Sequence, residues 1–358
     1  MFKLTDLFPK PTAGQAPEVA PEKEEPKIEL PPLFESPEPC EFPSREEFTP
    51  DLDFGRYWRL NYSLLSAEER KAYEDMETAI RRGFSSVQVE LPPDNARLMN
   101  IAKSLIEDNW SLFYVDTSIT VVTEPGRVDV CFRYNRFREE REKHLERMKE
   151  VARNVFETRV KGCSTAYDAE MAIHDWIVEN VKYDSTDPEL SHSPLGPLLY
   201  GKGVCEGISE AFCFLACSCG LKAAMASGKL RSGNHRWNVI ELDGERYHLD
   251  VTSDLSGLHA YFNCSDKTIG KSHTGFKRFG CNSDRLNYYV LNGARFVNAC
   301  DATSFIRDNS AAGAMFEFMV ENGVMPQEVT RIVRTGAGGH VTVTTTHVDH
   351  RYYRVIVK

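Results

Sequence analysis

The chain has 358 residues, 41% of them hydrophobic and 27% charged, which suits a soluble globular protein with room for more than one core. Its net charge of -10 gives no basic footprint for nucleic acid, and no apolar run is long enough to span a bilayer. Asp6, Pro9 and Lys10 interrupt the N-terminus before it can form an apolar signal core, so a cytoplasmic protein is expected.

Residues 1–50 hold 11 of the 18 prolines and 11 acidic residues against 5 basic ones. Proline removes backbone donors and like charges repel, so this stretch is expected to be a disordered acidic tail. Folded sequence is expected from about Tyr57, with residues 51–160 forming an N-terminal α/β scaffold region. Ser66-Ala-Glu-Glu69 is a capping box and Gly83 a stop, which predicts a helix over 67–82. SSVQVEL alternates like a strand. Leu98, Ile101, Ala102, Leu105 and Ile106 recur at helical spacing over 94–108. Three strand-like runs follow, SLFYVD, SITVVTE and RVDVCFRY, the last two joined by a Pro125-Gly126 turn. A charged helix is predicted over 136–160 and another over 165–181. The loop 182–200, which carries His192, then leads to a glycine-rich turn at Gly201 and Gly203.

Cys205 follows that turn and precedes a predicted helix over 206–219. The partial positive charge at a helix N-terminus favours thiolate over thiol. Glycines 201, 203 and 207 allow backbone N–H groups to approach a developing oxyanion. Downstream, Asp243-Gly244 predicts a two-residue type I′ hairpin turn. That turn pairs 242 with 245, 241 with 246, 239 with 248, 237 with 250 and 235 with 252. Glu241 then faces Arg246, a favourable pair. His235, Trp237 and Asp250 share one face, with Asp250 the diagonal neighbour of His235. A one-residue slip would separate them.

Cysteine, histidine and aspartate so placed suit nucleophilic acyl transfer. Cys205 is the expected nucleophile, His235 the general base and then acid, and Asp250 the group that orients the imidazole. Tyr200 and Trp237 are expected to line the substrate cleft. Cys213, Cys217 and Cys219 do not match zinc-ligand spacing and are expected to pack in the core, so no metal and no cofactor is expected. Gly336-Ala-Gly-Gly339 lacks the Lys-Ser/Thr of a phosphate loop and reads as a hairpin connection. Residues 291–358 are expected to form a small α+β appendage, with a helix near 311–322 followed by strands over QEVTRIVRT, HVTVTTTHV and RYYRVIVK.

The runs IHDWIVENVKYD (173–184), YGKGVCEGISEAF (200–212), HRWNVIELDGERYHLDVT (235–252) and AYFNCSD (260–266) resemble the transglutaminase-like superfamily over about 160–290. Ser253 and Ile208 depart from it, each standing where relatives often carry an aromatic. The resemblance implies an α+β, papain-like core over 161–290, with the cysteine on a helix N-terminus and His and Asp on adjacent antiparallel strands. It also implies a thiol enzyme acting on amide bonds of peptides or proteins. Hydrolysis is expected over crosslinking, because no residue marks an amine site and water always reaches a thioester. The alternative is an inactive interaction module that recruits a partner through the proline-rich tail.

Overall fold

Residues 58–116, 119–337, 341–345 and 350–358 are described in the computed structural model. The tail expected over 1–50 lies outside them. Ser66 opens the helix Ala67–Arg81: its side chain accepts the Glu69 N–H, and the Glu69 carboxylate accepts the Ser66 N–H. Asp94 caps the helix Asn95–Asp108 by accepting from the Arg97 backbone. Between and after these, strands Ser86–Gln88, Arg127–Cys131 and Thr120–Glu124 pair antiparallel in that spatial order. The run SLFYVD does not form the expected strand. Trp110–Leu112 is a 3-10 turn, and Val115 makes a single bridge to Tyr134. Residues 110–115 are buried throughout, so their apolar character reflects packing on all sides and not a two-faced strand.

The charged helix begins at Arg141, runs to Val155 and widens into a π turn over Phe156–Val160. The helix Ala166–Asn180 starts at a second capping box, Thr165 with Asp168. The helix Cys205–Ser218 is the centre of the molecule. Ile208, Phe212, Phe214 and Leu215 point in several directions from it, and all are essentially inaccessible. A helix apolar all round belongs inside. It packs on the strands Lys222–Leu230 and Gly233–Leu242, which form a meander with Glu245–Leu249. Tyr73, Met76, Ile101 and Leu105 join Ile208, Phe212 and Phe214 in one apolar cluster, so the N-terminal helices share this core. Burying each such side chain contributes about 1.5–3 kcal/mol.

The C-terminal part differs from expectation in two places. Residues near 311–322 form the strand Met315–Val320, and QEVTRIVRT lies in the helix Pro326–Ala337. The strand is interior to its sheet, flanked by Tyr352–Val357 on one side and Arg295–Phe296 on the other. From Glu317 to Val320 consecutive residues are buried, so its burial shows no two-residue alternation. In the helix, Val329 and Val333 supply an i, i+4 buried stripe that outweighs their β-branched preference. Gly336 therefore falls in a helix and not between two strands. Val341–Thr345 and Tyr352–Val357 pair antiparallel as strands. Phe318, Val320, Val329, Val333, Tyr353 and Val355 form a second core. The fold is α+β.

Candidate active site

Three elements bring the candidate residues together. Cys205 is the first residue of its helix, so its N–H has no partner within that helix. The turn before it is held by close packing. A Cβ at Gly203 would lie 2.7 Å from Pro197, and one at Gly207 2.5 Å from the Ser191 carbonyl. Gly201 takes the left-handed conformation that closes the helix Leu195–Tyr200. Close contact with 188–197, rather than room for an oxyanion, explains Gly203 and Gly207.

The hairpin has the expected register from Asn238–Leu249 to Leu242–Glu245, with Glu241 opposite Arg246. Asp243 and Gly244 both have positive φ, as a type I′ turn requires. The ladder then stops at Leu249. The expected pairing of 235 with 252 is not made, and His235 instead pairs with Gly228 on the neighbouring strand. Asp250 still reaches His235, because the chain turns into the 3-10 segment Ser253–Ser256. His235 Nε2 lies 2.8 Å from Asp250 Oδ2. Cys205 lies near enough to the imidazole to raise it.

Asp250 is fully buried and takes four donors: His235 Nε2–H, His273 Nε2–H, the Ser253 hydroxyl and the Ser253 backbone N–H. Burial alone would push its carboxyl up. The His235 charge and the bonds from both histidines outweigh burial and hold it well below the usual carboxylate range. For His235 burial disfavours the charged form, but the Asp250 carboxylate and then Cys205 raise the imidazole to about 10. An imidazole so placed can take the proton of an adjacent thiol as it attacks.

The remaining expected residues are placed differently. Trp237 is fully buried, stacks on His235 at 6.0 Å between centroids and donates its Nε1–H to His248 Nδ1 at 3.0 Å. It supports the imidazole from behind. Tyr200 is exposed and lies against the Arg147 guanidinium. His192 accepts a role the loop alone did not suggest: its Nδ1 lies 2.7 Å from Glu206, the residue after Cys205. Arg236 NH1 pairs with the other Glu206 oxygen at 2.7 Å. Cys213 is buried and accepts from Asn238 Nδ2 at 3.1 Å. Burial pushes the Cys217 thiol up to about 11 and that of Cys219 to about 12.

Sequence reasoning missed Tyr183 and gave no role to His273 or Ser253. Tyr183 pairs with Gly203 across two short parallel strands, and burial followed by the nearby Cys205 raises its hydroxyl. Its signal was the aromatic at the end of IHDWIVENVKY. Ser253 follows Asp250 by three residues, the spacing at which an aspartate accepts from a turn N–H, whereas His273 carries no local signal for contact with Asp250.

Residues 151–251 match the Transglutaminase-like superfamily, so the chain carries a transglutaminase-like core. No curated protein matches. Solved structures similar in part include a proposed cysteine protease from Cytophaga hutchinsonii, at 16% identity and TM-score 0.27 over 38% of this chain and 61% of that one. A TGase matches at 14% identity and TM-score 0.26, over 47% of this chain and 50% of the other. A proposed protease from Parabacteroides distasonis matches at 11% identity and TM-score 0.24, over 38% and 35%. The chain thus spans less than two thirds of each of these structures. Among the described residues no helix is long and apolar enough to cross a membrane.

Proposed function

We propose that the protein is a thiol-dependent acyl-transfer enzyme that acts on amide bonds of peptides or proteins, with Cys205, His235 and Asp250 as its catalytic residues. The observation that carries this reading is the 2.8 Å contact of His235 with a fully buried Asp250, with Cys205 near enough to the imidazole to raise it. In the reaction the Cys205 thiolate attacks the amide carbonyl, and the carbonyl electrons move to oxygen. The Cys205 N–H at the helix N-terminus stabilises that oxyanion. Collapse breaks the C–N bond, and the amine leaves with the proton from His235. Water, deprotonated by His235, then hydrolyses the thioester and frees the thiol. Asp250 keeps the imidazole in the required tautomer throughout.

Hydrolysis is favoured over crosslinking because Cys205 is only partly buried and water reaches it without a dedicated amine pocket. An inactive interaction module would leave Asp250 turned from His235, and their 2.8 Å contact argues the other way. A reducing compartment such as the cytoplasm suits a protein with nine unpaired cysteines among its described residues. The test is turnover of glutamine-containing peptides by the full chain and by Cys205→Ala, with and without a fluorescent primary amine. Loss of turnover in the variant supports the assignment, and unchanged turnover overturns it. Release of free acid in the presence of the amine marks a hydrolase, whereas amine incorporation marks a crosslinker.

A further inference from the structure

A second group of side chains lies one turn beyond Asp250. His174 and Asp175 come from the helix Ala166–Asn180, and His259 from the loop after Ser253–Ser256. His174 Nδ1 lies 2.9 Å from Asp175 Oδ1, and His259 Nε2 lies 3.1 Å from the same oxygen. The three donor atoms fall within 4.8 Å of one another. A tetrahedral ion with N and O ligands at about 2.0–2.1 Å needs donor separations of about 3.3 Å. The two separations to Asp175 are within a few tenths of an ångström of that value.

The outer sides of both imidazoles are equally specific. His174 Nε2 lies 3.3 Å from Asp254 Oδ2, and His259 Nδ1 lies 3.3 Å from Glu317 Oε2. Both carboxylates are buried. Each ring therefore backs one nitrogen onto a carboxylate that can hold a proton there, so the inward nitrogen, now bonded to Asp175, can offer its lone pair to an ion that replaces the shared proton. This is the carboxylate–histidine arrangement that surrounds protein-bound zinc. Asp175, Asp254 and Glu317 bring three negative charges, and among the described residues Arg354 is the permanent cation paired with them. With both imidazoles neutral, a divalent ion offsets the remaining two, which two protonated imidazoles balance when no ion is bound. His174 is inaccessible while 42% of the Asp175 side chain is exposed, so solvent reaches the cluster from the Asp175 side.

Two comparable clusters lack these features. In His248–Asp266–Cys281, His248 Nδ1 accepts the Trp237 Nε1–H, so Nε2 carries the proton it donates to Asp266 and has no lone pair to offer. In His235–Asp250–His273, both Nε2 atoms meet Asp250 Oδ2, and the cluster belongs to the candidate active site already described.

We propose that His174, Asp175 and His259 bind one zinc-type divalent cation, oriented by Asp254 and Glu317. Two imidazoles and one carboxylate suit zinc and its borderline neighbours over magnesium or calcium. The ion ties the helix Ala166–Asn180 to the loop that follows Asp250. Full-length protein carrying Cys205→Ala, stripped with chelator, is titrated with zinc chloride by calorimetry and with cobalt chloride by absorbance. The expected result is one ion per chain, with cobalt d–d bands and no thiolate charge-transfer band. Adding Asp175→Ala, at a partly exposed position that leaves the core intact, should weaken zinc at least about tenfold and remove the zinc-dependent rise in melting temperature. His259→Gln should do the same. Equal affinity in a folded Asp175→Ala chain, a thiolate band with cobalt, or no binding by the folded parent overturns the proposal.

Discussion

His273 Nε2 lies 3.0 Å from the same Asp250 oxygen that His235 Nε2 meets at 2.8 Å. One buried carboxylate thus anchors two imidazoles, and the second has no route to the thiol through that nitrogen. Hydrogen bonds to charged groups contribute about 1.5–3 kcal/mol. His273→Ala should lower unfolding free energy by about 2 kcal/mol, read from urea denaturation at pH 7. An unchanged urea midpoint would mean that Asp250 does not depend on His273.

Ionisation of His235 gives a pH signature. Its folded value is raised to about 10, against about 6.5 for an unfolded histidine. The stabilisation is therefore complete below about pH 6.5 and is lost as pH rises through the folded value. The His235 ring signals in NMR should titrate near pH 10. In Asp250→Asn burial then dominates, and the same signals should titrate below about 6.5. A ring that titrates alike in both chains refutes the coupling.

Thiol reactivity separates Cys205 from its neighbours. Cys213, Cys219, Cys264 and Cys281 are buried, and burial raises each thiol. Cys300 is exposed and serves as the reference. At pH 6, iodoacetamide should modify Cys205 at least about tenfold faster than Cys300, because of the adjacent imidazole. His235→Ala should erase that advantage, as read by peptide mass spectrometry of the time course.

The Glu206–Arg236 pair carries the turn that presents Cys205, with His192 on the second Glu206 oxygen. Removing one partner of a largely buried pair costs about 3–5 kcal/mol. Arg236→Met should fall in that range by thermal or urea unfolding. Adding Glu206→Gln should recover part of the loss, because the uncompensated charge goes with it. Additive losses in the double variant would mean that the two residues act separately.

The residues legible in the sequence are those whose physics is local. Ser66 and Glu69 satisfy each other across one helical turn, and Asp243-Gly244 sets a register that continues to Asn238–Leu249. The same turn places His235 and Asp250 on one face only if the ladder is extended past Leu249, where it ends. Where apolar runs were buried on every side, periodicity failed. SLFYVD became a 3-10 turn, and Met315–Val320 became an interior strand.

Contacts between distant segments were decided by tertiary structure alone. Asp250 leaves the hairpin ladder and still meets His235, because Ser253–Ser256 turns the chain back beneath it. His273 arrives 23 residues later to share its carboxylate, and His174 reaches Asp254 across 80 residues. A hairpin fixes neighbours because a two-residue turn closes at small entropy cost. Packing onto one central buried helix is needed to fix partners that far apart, and local sequence pattern does not encode it.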